Sequence, residues 1–342
     1  MEPIDLSAIL PHLRRTPAFE RVRALSAGRI LTLGVGDAAK PAALAAIAGQ
    51  REGPVVVITT RADRAEALAE ELSVWLGADA EVLLYPERDA LPYERLAAAP
   101  DIVRDRLRAA AALSTGERCI IVASALAIAQ RTLAPGAAVG SIRRLSKGDR
   151  LEMDAFLGEL AALGYSIEPV VAEAGQASRR GGIIDVSPPG AELPVRIELL
   201  GREIESLRAF DPSTQRSIGP VETIEIGPAR ELVAPDLSRL RNLDFGRTTR
   251  AARERFEEDL ANLEADSAFE GRDFYVPLLA QATLLDHQPE DSLLVLDERA
   301  DIAAVLDEAL EEAETARGEL EERGEVPHGL PCALERWHAL EK

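Results

Sequence analysis

Short apolar runs of the kind that form buried strands occur near both ends of this chain, and helical segments separate them. Pro54–Thr60 is rich in β-branched residues, and Ser292–Leu296 is a comparable run far downstream. Further strand-like runs occur at Arg29–Leu33, Glu81–Leu84 and Cys119–Ala123. Strands that are separated by helices favour βαβ units, which build mostly parallel sheets. The sequence therefore predicts an α/β fold.

The stretch from 145 to 230 has a different pattern and predicts a smaller domain. It begins with a helical segment, Leu151–Leu163, and continues with short strands between glycines and prolines. Apolar and charged residues alternate within Val195–Leu199, as in a strand with one face in a core and the other in solvent. We expect an α+β domain on an antiparallel sheet. Its predicted strands are Gly182–Val186, Pro194–Leu200 and Glu203–Phe210.

Helical segments return after this stretch, at Arg247–Ala265 and Asp301–Arg323. We therefore divide the chain into an α/β part at 1–138, the α+β domain at 139–230, and a helical and α/β segment at 231–342. The final residues stop without a turn or a helix cap, so we expect the chain to be a piece of a longer protein.

The charge of the chain limits its possible functions. Among 342 residues, 59 are acidic and 39 are basic, which gives a net charge of -20. Such a chain repels nucleic-acid phosphates unless it concentrates cations locally, so we do not expect it to bind DNA on its own. Its aromatic residues, among them Phe274 and Tyr275, are few and isolated in the sequence, so no platform for stacking bases is expected.

Cysteine usage and hydropathy indicate the compartment. Two cysteines so far apart fit neither a disulfide framework nor a metal or redox motif, which favours a reducing environment. No apolar run is long enough to cross a membrane. We therefore expect a soluble, cytoplasmic protein that does not contact a membrane.

One loop between a predicted strand and a predicted helix resembles a phosphate-binding P-loop. Gly34 and Lys40 match the first glycine and the lysine of the pattern G-x-x-x-x-G-K-[ST]. Ala39 replaces the second glycine, and Pro41 replaces the hydroxyl residue that binds Mg²⁺ and has no N–H to donate. Asp37 adds a negative charge where phosphates would lie. The P-loop is therefore degenerate.

Asp297 and Glu298, directly after the second apolar run, resemble a Walker B pair, which binds Mg²⁺ and polarises water. Two interpretations stay open: a working ATPase or, as we favour, a structural loop on a fold that has lost its nucleotide. The four histidines are scattered, and no G-x-S-x-G motif occurs. We predict no catalytic residue, no metal site and no bound cofactor.

Several segments make the chain recognisable as similar to a known family. The longest recognisable stretch contains RRGGIIDVSPP at Arg179–Pro189, LPVRIELL at Leu193–Leu200 and EIESLRAFD at Glu203–Asp211. Shorter ones are YPERDALPYE at Tyr85–Glu94, PARE at Pro228–Glu231 and EGRDFYVPLL at Glu270–Leu279. They resemble the transcription-repair coupling factors, and the first of the shorter segments also resembles the excision-repair protein UvrB. The resemblance extends from about Gly28 to Trp337.

Two features favour a coupling factor over UvrB. UvrB-like proteins need an intact P-loop, and they carry a tyrosine-rich β-hairpin that grips DNA. Here a plain helical segment, Asp101–Leu113, follows the first strands instead. The resemblance implies the N-terminal UvrB-homology module of a coupling factor. Its fold would be a degenerate P-loop, RecA-like parallel-sheet domain formed by the first and third segments, with the small α+β domain inserted.

This resemblance implies a non-catalytic adaptor. The α+β domain would recruit UvrA, the damage-recognition ATPase of nucleotide excision repair, to stalled RNA polymerase. The full-length family protein is an ATP-dependent DNA translocase through domains further along its chain, and it contacts RNA polymerase and DNA. The alternative is an ATP-dependent DNA repair enzyme of the UvrB or helicase type. A third possibility is a structural protein that binds only its own C-terminal domains.

The family's UvrA-binding determinants fall at Arg180, Arg196 and Leu200, where Leu200 replaces a phenylalanine that some members carry. An exposed guanidinium can form bidentate bonds to carboxylates of a partner. Strand alternation places Arg196 opposite to its apolar neighbours, so we expect it to face solvent. The residues alone also allow a second interpretation, in which both arginines pair internally with Asp185 or Glu198.

Overall fold

The structure is a computed structural model that describes residues 5–17, 19, 22, 30–77, 80–140, 142–233, 235–267 and 269–340. Its strands are β1 Val55–Thr59, β2 Val82–Tyr85, β3 Ile120–Ser124, β4 Arg143–Ser146, β5 Ser166–Ile167, β6 Gln176–Arg180, β7 Ile183–Val186, β8 Val195–Leu200, β9 Glu203–Phe210, β10 Ser217–Pro220, β11 Thr223–Ile226 and β12 Leu293–Leu296.

Its α-helices are α1 Leu10–Leu13, α2 Lys40–Ala48, α3 Ala62–Leu76, α4 Pro100–Thr115, α5 Ala125–Ala129, α6 Pro135–Gly140, α7 Met153–Ala162, α8 Ser238–Arg241, α9 Arg250–Glu264, α10 Val276–Leu279, α11 Arg299–Glu322 and α12 Trp337–Leu340. Short 3-10 helices occur at Ser7–Ile9, Asp37–Ala39, Arg272–Tyr275 and Leu284–His287.

The chain divides into two compact units, and each is assembled from separate pieces of the sequence. Unit 1 contains Met1–Glu87, Ala112–Ile128 and Gln288–Leu306. Unit 2 contains Arg88–Ala111, Ala129–His287 and Asp307–Lys342. The domain boundaries that we expect at 138 and 230 stay a prediction.

Unit 1 contains the parallel sheet that the apolar runs predict. Its strands lie in the order β12-β1-β3-β2, and every neighbouring pair is parallel. Strand β1 is buried along its whole length, which explains its continuous β-branched sequence. Because β12 pairs with β1, the first and third segments of the sequence build one sheet. The predicted fold class is confirmed.

Helix α3 packs against this sheet through a regular apolar stripe. Leu68 and Leu72, at helical spacing, are buried in one cluster with Val57 of β1 and Val122 of β3. The helix ends at Gly77, whose φ of 75° lies in the left-handed region that glycine adopts without strain.

The predicted strand at Arg29–Leu33 is not formed in the part of that segment that the structure describes. Arg29 lies outside the described residues, and Ile30 to Gly36 have no regular strand, with Ile30 98% exposed. An apolar run becomes a stable strand only when neighbouring strands supply hydrogen bonds and a hydrophobic face. The described sheet instead ends at β12, so the loop before α2 does not follow a paired strand.

Strand β12 is also less buried than its sequence predicts. It lies at the edge of the four-stranded sheet, and Leu294 is exposed while its neighbours are half-buried. The run SLLVL correctly predicts a strand, but an apolar run does not show whether both edges of that strand are paired.

Unit 2 contains a six-stranded sheet in the order β10-β9-β8-β7-β6-β5. Its pairs are antiparallel except β5 with β6. Alternate residues such as Ile184, Ile197 and Leu207 form a core with Phe156 and Leu160 of helix α7. The predicted antiparallel α+β domain is confirmed.

Turns and caps in unit 2 follow local chemistry. Gly201 has a φ of 67° and forms the tight connection between β8 and β9. The hydroxyl of Thr249 accepts a hydrogen bond from Ala252 N at 3.3 Å and so caps helix α9.

Among the described residues, no helix combines the length and the apolar composition that a membrane span requires.

Candidate functional site

One face of the six-stranded sheet points away from the core, and we call it the outer face. The core residues Ile184, Val195 and Ile197 alternate with residues on the other side. Residues that pair directly across an antiparallel ladder share a face, so the register assigns its members. They are Ser178 and Arg180 of β6, Ile183 and Asp185 of β7, Arg196, Glu198 and Leu200 of β8, and Glu203, Ser206, Arg208 and Phe210 of β9.

Arg196 lies on the outer face, but it is largely covered and paired. Its Nε and Nη2 atoms donate to the two carboxylate oxygens of Asp185 at 2.7 and 2.8 Å. Its guanidinium carbon lies 4.9 Å from the ring centroid of Phe210. The side chain is 20% exposed. The hydrogen bonds to Asp185 raise the pKa of Arg196.

This geometry corrects the expectation that Arg196 faces solvent freely. The internal pairing with Asp185, which the sequence also allowed, is present for Arg196. Strand alternation predicts the side of the sheet to which a residue points. It does not show that the neighbouring strands place Asp185 and Phe210 against the same guanidinium, because that depends on strand register.

Arg180 and Leu200 are exposed on the same face. Arg180 ends β6, and within the described residues its guanidinium has no hydrogen bond or ion pair. Gly181, which follows it, has a φ of 61°, so the tight turn into β7 suits a glycine. Leu200 ends β8 and is 72% exposed. The outer face therefore presents an available guanidinium and an apolar side chain beside the paired Arg196.

In unit 1, carboxylates surround the lysine of the degenerate P-loop. Lys40 Nζ lies 2.8 Å from Asp37 Oδ1, 2.7 Å from Asp297 Oδ1 and 2.8 Å from Glu298 Oε1. We call these four residues the Lys40 cluster. The Lys40 side chain is 13% exposed. Hydrogen bonds to Asp297, Asp37 and Glu298 raise the pKa of Lys40, so it stays cationic.

The Lys40 cluster joins the two motif remnants that the sequence showed separately. Lys40 belongs to the loop before α2, whereas Asp297 and Glu298 follow β12. Three carboxylates around one ammonium leave a net negative charge, which repels phosphate. Glu298 also has a φ of 63°, a backbone conformation that costs a residue other than glycine on the order of 1 kcal/mol or more. The negative charge of the Lys40 cluster opposes the binding of a nucleotide phosphate.

Phe274 and Tyr275 belong to a buried aromatic cluster, which corrects the expectation that they are isolated. Their ring centroids are 5.0 Å apart, and that of Phe256 lies 6.0 Å from Phe274. The guanidinium carbon of Arg95 lies 4.5 Å from the Phe274 centroid, and its Nη1 donates to Asp259 at 2.6 Å. Because all three rings are buried, this cluster is not a surface on which bases can stack.

The sequence analysis missed the role of Glu231, which is fully buried between two arginines. Arg106 Nε donates to Glu231 Oε1 at 2.8 Å, and Arg88 forms an ion pair with Oε2. Burial raises the pKa of Glu231, but the attraction to Arg106 and Arg88 outweighs it and holds the pKa below its usual range. Arg88 and Glu231 lie in two of the segments that resemble the coupling-factor family, and this was the only indication of their role in the sequence.

No group of histidine, cysteine, aspartate and glutamate residues among the described positions has the geometry to hold a metal ion. His287 is buried, and its Nε2 lies 2.9 Å from the carbonyl oxygen of Leu133. Burial lowers the pKa of His287. It is part of the packed interior of unit 2.

Comparison with protein families identifies the domain that carries the outer face. Residues 144–232 match the family model described as the UvrB interaction domain. This range extends from β4 to β11 and includes helix α7 and the whole six-stranded sheet. The outer face therefore lies within the segment that matches the UvrB interaction domain.

Comparison with characterised proteins gives the wider relationship. The transcription-repair-coupling factor of Bacillus subtilis is 31% identical over 318 residues, which is 88% of this chain and 27% of that protein. The Myxococcus xanthus factor is 30% identical over 330 residues, 91% of this chain and 27% of that protein. The Escherichia coli factor is 34% identical over 188 residues, 55% of this chain and 16% of that protein.

The chain is thus related to the transcription-repair-coupling factors over most of its length, and the resemblance stated from its sequence is confirmed. It spans 27% of the length of the Bacillus subtilis and Myxococcus xanthus proteins.

Proposed function

We propose that this chain is a non-catalytic adaptor module that recruits UvrA through its UvrB interaction domain. The observation that carries this proposal is the outer face, where an available Arg180 and an exposed Leu200 lie beside Arg196. Arginine is enriched among the residues that contribute most at protein interfaces, and a guanidinium recognises carboxylates. The match of residues 144–232 to the UvrB interaction domain supports this role.

Arg196 contributes to the proposed contact in a different way from Arg180. Its Nε and Nη2 donors already bind Asp185, so only part of its guanidinium is available to a partner. The bidentate pair and the Phe210 ring fix its position. A preorganised guanidinium loses little side-chain entropy on binding. We therefore propose Arg180, Arg196 and Leu200 as partner-binding residues.

The Lys40 cluster supports the absence of nucleotide chemistry in this proposal. The lysine that would contact a phosphate has three carboxylate partners, and two of the P-loop positions are substituted, at Ala39 and Pro41. The alternative is an ATP-dependent repair enzyme of the UvrB type. The net charge of -20 also disfavours DNA binding by this chain alone.

In the longer relatives, this role would belong to one part of the protein. We propose that the α+β domain at 139–230 is the UvrA-docking domain and that 1–138 and 231–342 form its α/β scaffold. Other domains of the full-length protein would form the ATP-dependent translocase and contact RNA polymerase and DNA. Their linkage to this module would bring UvrA to a stalled polymerase in the cytoplasm.

The test is to measure UvrA capture by the wild-type chain and by an Arg180→Ala, Leu200→Ala double variant. Both side chains are exposed, so the fold should persist, since exposed substitutions usually shift stability by within about 0.5 kcal/mol. Loss of an interface arginine anchor alone should weaken binding by about thirtyfold. Arg239→Glu, an exposed arginine outside the matched domain, is the control. Wild-type affinity of a folded double variant would refute the assigned surface.

A further inference from the structure

We propose that Arg208 is a further contact of the outer face for an acidic surface of UvrA, in addition to the three residues named above. The inference rests on the proposed function, because it names a further determinant of the same interface. Arg208 lies on β9 directly opposite Arg196 of β8, and the two residues therefore share the outer face.

The exposure of Arg208 distinguishes it from Arg196. Arg208 is exposed, while its neighbour Leu207 is buried in the core. Among the residues that the structure describes, none forms a hydrogen bond or ion pair with the Arg208 guanidinium. Asp185 is the carboxylate that lies next along this row of the sheet, and both of its oxygens bind Arg196. The charge of Arg208 is thus left without an internal counter-ion.

Two like charges directly opposite each other on neighbouring strands destabilise a sheet. Asp185 forms an ion pair with Arg196, and Glu198 also attracts Arg196, but no carboxylate among the described residues forms an ion pair with Arg208. A sequence that keeps a locally unfavourable residue commonly does so at a functional position. The arginine pair is better explained by a negatively charged partner than by the stability of the isolated domain.

Several arginines of the same domain have carboxylate partners, whereas the exposed Arg150 and Arg216 have none among the described residues. Arg143 pairs with Glu159, Arg144 with Glu225, Arg179 with Asp154 and Arg202 with Glu152. In a chain with 59 acidic and 39 basic residues, such partners are abundant. Arg180 and Arg208 also lack a carboxylate partner within the described part of the chain, and these two lie on the outer face.

The geometry points to one kind of occupant. Arg208 and Arg180 supply available guanidinium groups, and Leu200 and the half-buried Ile183 supply apolar contacts on the same face. Charge complementarity therefore calls for a partner surface that carries carboxylates around an apolar contact. Because Arg208 is exposed, its charge should act mainly on the association rate and on the salt dependence of binding.

The experiment compares UvrA binding by the wild-type chain, Arg208→Lys, Arg208→Gln and Arg208→Glu, with Arg239→Glu as the charge-matched control. We expect Arg208→Glu to weaken binding by about tenfold or more, Arg208→Gln by a smaller factor, and Arg208→Lys least. Arg208→Gln should lower the association rate and flatten the salt dependence. The control should bind like the wild type.

A thermal melt of each variant separates binding from folding. Arg208→Gln should melt at the same temperature as the wild type or higher, because it removes the like-charge pair. If the wild type binds and a folded Arg208→Glu variant binds within about twofold of it, Arg208 is not a contact although the proposed function stands. If the wild type itself does not bind UvrA, the proposed function fails and this inference fails with it.

Discussion

The Lys40 cluster of unit 1 and the outer face of unit 2 both place cations beside carboxylates, but they leave those cations in opposite states. Lys40 has three carboxylate oxygens within 2.8 Å of its Nζ. On the outer face, Arg196 has one carboxylate partner, and Arg180 and Arg208 have none within the described residues. In unit 1, internal pairing occupies the lysine that a phosphate would need. On the outer face, the lack of such pairing leaves guanidinium groups available to a protein partner.

This difference shows that a residue can match a motif position without being available to bind a ligand. Lys40 keeps the identity of a P-loop lysine, yet its ammonium group already binds three carboxylates inside unit 1. Arg208 belongs to no motif position that was assigned a role from the sequence, yet its charge is free. Binding capacity follows from what surrounds a side chain more than from its identity alone.

The largest expected effect comes from Glu231, which tests whether internal pairing in unit 2 supports the fold. Glu231→Gln removes the negative charge between two buried arginines and should lower the free energy of unfolding by about 3 kcal/mol or more. Thermal or denaturant unfolding followed by circular dichroism measures this loss. Glu254→Gln, on the exposed face of α9, is the matched control and should cost less than about 0.5 kcal/mol.

Acid titration tests Glu231 through the direction in which the stability of the fold changes with pH. The pKa of Glu231 is lowered in the folded state, so the unfolded chain binds its proton first and stability falls as the pH drops below about 4.5. In Glu231→Gln this contribution is absent, so its stability should depend less on pH in that range. An identical acid dependence in both proteins would mean that the buried ion pairs do not act as described.

An intermediate effect is expected when the two family-assigned arginines are compared. Arg196→Ala leaves Asp185 without its partner and uncovers Phe210, so it should lower stability by about 1–3 kcal/mol. Arg180→Ala should change stability by less than about 0.5 kcal/mol, because its side chain is exposed and unpaired. Thermal melts of the two variants measure the difference. Equal melting temperatures would remove the contrast between a positioned and an available arginine.

The smallest effect is expected on ATP affinity when the P-loop pattern is restored by substitution. Ala39→Gly with Pro41→Ser restores the P-loop pattern in the sequence, yet we expect no measurable ATP affinity, because Asp37, Asp297 and Glu298 still hold Lys40. Calorimetry with Mg-ATP measures this directly. Micromolar binding by the repaired variant would show that the two substitutions, and not the surrounding carboxylates, are the reason for the loss. Adding Asp37→Asn tests one carboxylate separately.

Much of the fold followed from local patterns. The β-branched run around Val57 predicted a strand of a parallel sheet, because a strand that is buried on both faces is apolar along its whole length. The run at Ile30–Leu33 looked equally apolar, but it forms no strand in the described chain. A strand needs neighbours, and a local pattern does not specify them.

The site was less predictable because it depends on tertiary contacts. Lys40 and Glu298 are 258 positions apart in the sequence, and their contact follows from the pairing of β12 with β1. Arg208 could be found only from the register that places it opposite Arg196. The identities of the side chains pointed to both regions. The partners and the exposure of those side chains could be determined only from the folded structure.

The most direct test of the account is a pair of titrations of the wild-type chain, one with UvrA and one with Mg-ATP. The account predicts saturable binding of UvrA and no heat from Mg-ATP, because unit 2 leaves its arginines available while unit 1 occupies its lysine. Binding of Mg-ATP without binding of UvrA would contradict it, and would favour a nucleotide-dependent enzyme over an adaptor.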